Sequence, residues 1–176
     1  MSFQERFTDE EHLLLSSTPI MIGSAMAFSE SSGLATVKEL FASTKTYMGG
    51  LKAYPQNEII QGILPNLDDR KEAMAQAKEF RVKAADRIKE KQIDSQEKMR
   101  QLLLSDVQEI NKILEEKATP EEAAEYKEWN MLVAENVAKA AKEGGFLGFG
   151  GERISEGEKA LFAELARAFN TNSTLV

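Results

Sequence analysis

Cysteine is absent from the 176 residues. Its absence excludes disulfides, thiolate metal sites and cysteine nucleophiles, and suits a reducing compartment. Histidine occurs once, as His12. One imidazole is too few for the paired Glu-x-x-His motifs of carboxylate-bridged di-metal bundles or for a three-histidine zinc site, so no metal and no other cofactor is expected. Following Asp9, Glu10 and Glu11, His12 reads as an exposed or partly buried residue at a helix start.

A basic excess is missing as well. The chain carries 22 Lys and Arg against 29 Asp and Glu, a formal charge of −7. The one local surplus runs from Arg70 to Lys91, where eight basic residues stand among four acidic ones. Interleaved charges of this kind ordinarily form a solvated helix face, so nucleic acid is not an expected partner. Long hydrophobic runs are few. The uncharged stretch Leu13 to Ser29 has a cleavage-like Ala25-Met26-Ala27, but a leader needs a positive n-region. Here Glu5, Asp9, Glu10 and Glu11 outnumber Arg6, and Ser16, Ser17, Thr18 and Pro19 interrupt the run;. It is also short of the ~20 apolar residues that span a bilayer. The expectation is a cytoplasmic protein without a membrane span, with peripheral attachment through Leu13 to Phe28 as a weaker possibility.

What is present is helical spacing almost everywhere, without a run of apolar–polar alternation. The fold class expected is all-α, a multi-helix bundle of about six to seven helices forming a single domain over 1–176, with 170–176 a frayed tail. Thr8 and Glu11 form a capping box that opens a helix through Leu13, Leu14 and Leu15. Thr18-Pro19 reads as the start of a second segment, since proline tolerates the first helical position. That segment carries Gly23, Ser24, Ala25 and Ala27, small residues that let another backbone approach. It reads as the central helix, with a dimer seam as the alternative. Leu34, Val37, Leu40 and Phe41 set up a third helix, closed by Gly49-Gly50. A short helix containing Ile59, Ile60 and Ile63 lies between Pro55 and Pro65.

From Asp68 to Lys117 the chain becomes highly charged. Ala77, Phe80, Ala84 and Ile88 mark one narrow apolar stripe, and Met99, Leu103, Val107, Ile110 and Leu114 another. Either a charged helical hairpin, with Asp94 and Glu97 capping its second arm, or one long helix fits this pattern. Thr119-Pro120-Glu121-Glu122 opens a helix to Glu143 whose face is Tyr126, Trp129, Val133, Val137 and Ala140, with Leu132 adjoining. Ser155 and Glu158 box the start of a last helix lined by Leu161, Phe162, Leu165 and Phe169.

The unusual constellation is the segment from Glu143 to Arg153, which holds five of the eleven glycines. Gly144, Gly145, Phe146, Gly148, Phe149, Gly150 and Gly151, flanked by Lys142 and Arg153 and followed by a helix start, are candidates for a ligand or partner loop. Backbone N–H groups there could cradle an anion. Neither a P-loop nor a dinucleotide fingerprint is met: Glu152 follows Gly151, and a helix rather than a strand precedes the segment. The competing reading makes Gly144 and Gly145 a helix cap and Phe146, Leu147 and Phe149 apolar plugs. Tyr126 and Trp129, one turn apart, are either core aromatics or the wall of a pocket beside that loop. Glu121, Glu125 and Glu128 form a row that is ordinarily solvated, and no arrangement for acid–base or nucleophilic catalysis stands out.

Phe7-Thr8-Asp9-Glu10-Glu11 with Pro19 and Gly23, Ser32-Gly33 with Val37-Lys38-Glu39, and above all Lys142 to Gly151 resemble a family of uncharacterised bacterial all-helical proteins of similar length. The resemblance implies a helical fold and a bacterial cytoplasmic setting, and no activity. The function expected is non-enzymatic: protein–protein contact as a homo-oligomer, most simply a dimer using the seams of 68–117, or as a scaffold. The alternative is a small-molecule or anion-binding protein, or an enzyme, using the glycine-rich loop 144–151 and the Trp129 helix.

Overall fold

A computed structural model describes residues 3–27, 33–65, 70–142 and 154–175, with side chains except at 33–42, 70, 72–73, 76–77, 79–81, 84–85 and 141–142. These residues form eight helices and no strands: α1 (Phe3–Arg6), α2 (Asp9–Ala27), α3 (Gly33–Ala53), α4 (Glu58–Ile63), α5 (Arg70–Glu90), α6 (Gln96–Lys117), α7 (Pro120–Lys142) and α8 (Glu156–Ala168). The all-α bundle expected from the spacing is what is found.

Reciprocal capping boxes set three of the helix starts. At α2 the Thr8 N–H donates to Glu11 Oε2 (2.7 Å) while the Glu11 N–H donates to Thr8 Oγ1 (3.2 Å). Thr119 and Glu122 repeat the exchange at α7, and Ser155 and Glu158 at α8. Each pair satisfies two backbone donors that the first turn leaves unpaired, worth about 1 kcal/mol per cap.

Two helix boundaries differ from the reading of the sequence, and one cap is displaced by a residue. Pro19 does not begin a helix but lies inside α2. A proline there removes the N–H that would reach the carbonyl of Leu15 four residues back. That carbonyl accepts instead from the Tyr126 hydroxyl of α7 at 2.7 Å. Buried Ser16 and Thr18 fold their hydroxyls onto the carbonyls of His12 (2.7 Å) and Leu14 (2.9 Å), so this polar stretch enters the core with its hydroxyl donors satisfied;.

Gly49-Gly50 does not end α3, which continues to Ala53. A Cβ on Gly50 would stand 2.9 Å from the Trp129 indole, so the glycine admits the ring rather than closing the helix;.

Of the two alternatives for the charged middle region the structure has two helices, α5 and α6. The break is a Schellman closure. Gln92 takes a left-handed φ of 53°, its N–H reaches the carbonyl of Lys89, and the Ile93 N–H reaches that of Ile88;. Ser95, not Asp94, caps α6, accepting from the Lys98 N–H, while Asp94 pairs with the Lys98 ammonium.

α2 is central, packed on α3, α6 and α7, and α7 makes its most extensive contact with α3. At Gly23 the α2 and α3 backbones approach so closely that a Cβ would fall 2.7 Å from Ser43 Cβ. The small-residue seam is therefore spent inside the molecule. Leu15, Ile22, Met26 and Ala27 of this helix are buried in the core. The α6 stripe is consumed likewise: Leu103, Val107, Ile110 and Leu114 are at most 1% exposed. Tyr126, Trp129, Val133 and Val137 of α7 and Leu161, Phe162, Leu165 and Phe169 of the α8 region complete one core cluster. Of the α5 stripe, Ile88 is half-buried, while the side chains of Ala77, Phe80 and Ala84 lie outside the described set. After α8, Asn170 (φ 55°) turns the chain and Leu175 packs against the core.

Candidate functional site: an exposed helix face and an acidic pole

Of the residues singled out from the sequence, Gly144, Gly145, Phe146, Gly148, Phe149, Gly150, Gly151 and Arg153 lie outside the described residues, as does the side chain of Lys142. Tyr126 and Trp129 are described, and both are fully buried. Their polar tips serve backbone carbonyls. The Tyr126 hydroxyl donates to Leu15, and the Trp129 Nε1–H to Thr46 at 3.3 Å. Trp129 also stacks on Tyr47, with centroids 5.4 Å apart, and meets Tyr126 edge-on at 6.1 Å. Burial pushes the phenols of Tyr47 and Tyr126 up, so neither ionises in the neutral range;. The three rings bolt α2, α3 and α7 together.

His12 is half-buried, edge-on to Phe3 at 4.9 Å. Among the described residues, no group of three or more His, Asp or Glu is placed to hold a metal ion. None of their helices is long and apolar enough to cross a membrane. A cleft of about 570 Å³ between the start of α7 and residues 170–173 offers Lys127 and Glu128 together. It therefore carries no local excess of either sign.

Two surface features stand apart. The first is the outward face of α5. Among the described residues three large apolar side chains are exposed: Met74 (66%), Val82 (54%) and Ile20 (37%). Two of them sit on α5, and the third on α2, the helix that α5 packs against. Lys71, Ala75, Lys78, Asp86 and Lys89 are exposed beside them. The spacing 71, 75, 78, 82 and 89 is that of one helix side. α5 is tied to α6 by a two-pronged Arg87–Asp106 pair (2.7 and 2.5 Å), in which Asp106 is buried. The hydrogen bond to Asp106 holds the Arg87 guanidinium above its ordinary pKa despite partial burial;.

The second is an acidic pole. Ion pairs gather the starts of α2, α4 and α7 and the end of α6 at one end of the bundle. Arg6 bridges Glu122 (2.7 Å) and Glu58 (3.3 Å), and Lys117 meets Glu11 at 2.6 Å. Burial alone would raise the Glu11 carboxyl, but the Lys117 ammonium and the Thr8 N–H outweigh it and hold it below the ordinary value. Arg6 and the Thr119 N–H do the same for Glu122. Around these pairs Asp9, Glu10, Glu115, Glu116 and Glu121 are exposed. Helix dipoles account for Asp9, Glu10 and Glu121 in first turns;. They do not account for Glu115 and Glu116, which stand in the last turn of α6, where the dipole favours cations;.

Sequence reasoning passed over the α5 face. The available signal was an apolar pair, Met74 and Val82, standing off the Ala77, Phe80, Ala84 and Ile88 stripe of a highly charged helix. Comparison of the chain with protein-family models, with curated proteins and with solved structures finds no match.

Proposed function

We propose that this protein acts through contacts between copies of itself, most simply as a homodimer, with the outward face of α5 as the contact surface. The reading extends to a non-enzymatic role in the bacterial cytoplasm, which the cysteine-free composition suits;. The observation that carries it is the exposure of Met74 and Val82 on one helix side while the α6 stripe is buried. Apolar residues aligned on a helix that is otherwise charged are costly to leave in water, and burial against a partner recovers about 25 cal/mol per Å² of apolar surface.

Light scattering on the full chain tests the reading. A mass above 19.6 kDa at tens of micromolar supports it. Met74→Ser with Val82→Ser should then shift the molecule toward monomer with the helical circular dichroism unchanged. A strict monomer, or an oligomer indifferent to both substitutions, overturns it.

A further inference from the structure

Resting on the reading of α5 as a docking surface, we propose that its occupant is the acidic pole of a second copy of this chain. Charge is the argument. The stretch from Arg70 to Lys91 carries eight basic residues against four acidic, whereas the whole chain stands at −7. On the outward face the exposed Lys71, Lys78 and Lys89 flank Met74 and Val82, and Asp86 and Glu90 are exposed carboxylates of the same helix. A symmetric pairing of α5 with α5 would set these lysines against lysines, and like charges juxtaposed in this way are disfavoured.

The pole is their complement within the same molecule. Its half-buried cations Arg6 and Lys117 are engaged with Glu122, Glu58 and Glu11. The exposed Asp9, Glu10, Glu115, Glu116 and Glu121 therefore present a negative surface outward. Glu115 and Glu116 sit against the dipole preference of their own helix end, with exposed Lys112 one turn back as a counter-charge to Glu116, and a docked cationic face adds to that compensation;.

The test uses the full chain in sedimentation velocity with two charge-reversed variants. One carries Lys71→Glu, Lys78→Glu and Lys89→Glu; the other carries Glu115→Lys, Glu116→Lys and Glu121→Lys. The wild type is expected to self-associate, and to weaken about tenfold or more between low and high salt as screening shortens. Each variant alone should sediment as a folded monomer, because both of its surfaces then carry the same net sign. Their equimolar mixture should regain the complex, since the acidic pole of the first meets the basic α5 of the second and the reversed surfaces also match. Failure of the mixture to associate overturns the proposal. Wild-type association by the Glu→Lys variant also overturns it, while leaving α5 as a contact surface; a monomeric wild type overturns both.

Discussion

The junction of Pro19, Leu15 and Tyr126 makes a claim that one atom can test. Tyr126→Phe removes the hydroxyl that donates to the Leu15 carbonyl at 2.7 Å, in a fully buried site where Pro19 has no N–H to offer in its place. An unpartnered buried acceptor costs about 1–3 kcal/mol, and the phenyl ring keeps the packing, so that range is the expected loss. Equilibrium urea unfolding followed at 222 nm reads it directly.

The cycle with Pro19→Ala sharpens the argument. Alanine restores the N–H four residues after Leu15, so the hydroxyl becomes redundant. Tyr126→Phe should then cost under about 0.5 kcal/mol in the Pro19→Ala background, a coupling of at least about 0.5 kcal/mol between residues far apart in sequence. Equal cost in both backgrounds would refute the reasoning, because the hydroxyl would then not be standing in for the proline.

Gln92→Gly should raise stability by about 0.5–1 kcal/mol, since a glutamine pays for the left-handed φ of 53° that glycine adopts freely;; an unchanged urea midpoint would contradict this. Gly23→Ala should cost about 1–3 kcal/mol, because its Cβ would sit 2.7 Å from Ser43 Cβ and force α2 and α3 apart;. The acid limb should follow Glu11 and Glu122. Their folded pKa values lie below the ordinary 4.5, so the stability they contribute is complete above that value and is lost as pH falls through the lowered values;. The urea midpoint should hold down to about pH 5 and then fall, less steeply in Glu122→Gln. A midpoint rising on acidification would contradict the pairing.

Signals confined to a few neighbouring residues were readable without coordinates. The boxes Thr8/Glu11 and Ser155/Glu158, the proline start at Thr119-Pro120 and the stripes of α6 and α8 depend on spacings of three and four within one helix, and all appear in the structure. Signals that depend on a distant partner misled. Pro19 looked like a boundary because the donor that lets it stay inside a helix, Tyr126, lies more than a hundred residues away. Gly49-Gly50 looked like a cap because the Trp129 ring that needs the space belongs to another helix. The break between α5 and α6 was one of two open readings, because its capping side chains were visible in the sequence while the left-handed Gln92 carries no glycine to mark it.

The candidate site divides the same way. Tyr126 and Trp129 were identifiable as neighbours on a helix, but only the packing shows their tips spent on the carbonyls of Leu15 and Thr46. That the α6 seam is closed and the α5 face open is likewise a property of the assembled bundle.

The cysteine-free chain allows the most direct measurement. A single Met74→Cys or Val82→Cys supplies the only thiol, and its maleimide labelling rate reports access to that point of α5;. The account predicts rapid labelling in dilute protein and about tenfold slower labelling at concentrations where copies associate. Labelling of positions 74 and 82 that is equally fast at every concentration would contradict it.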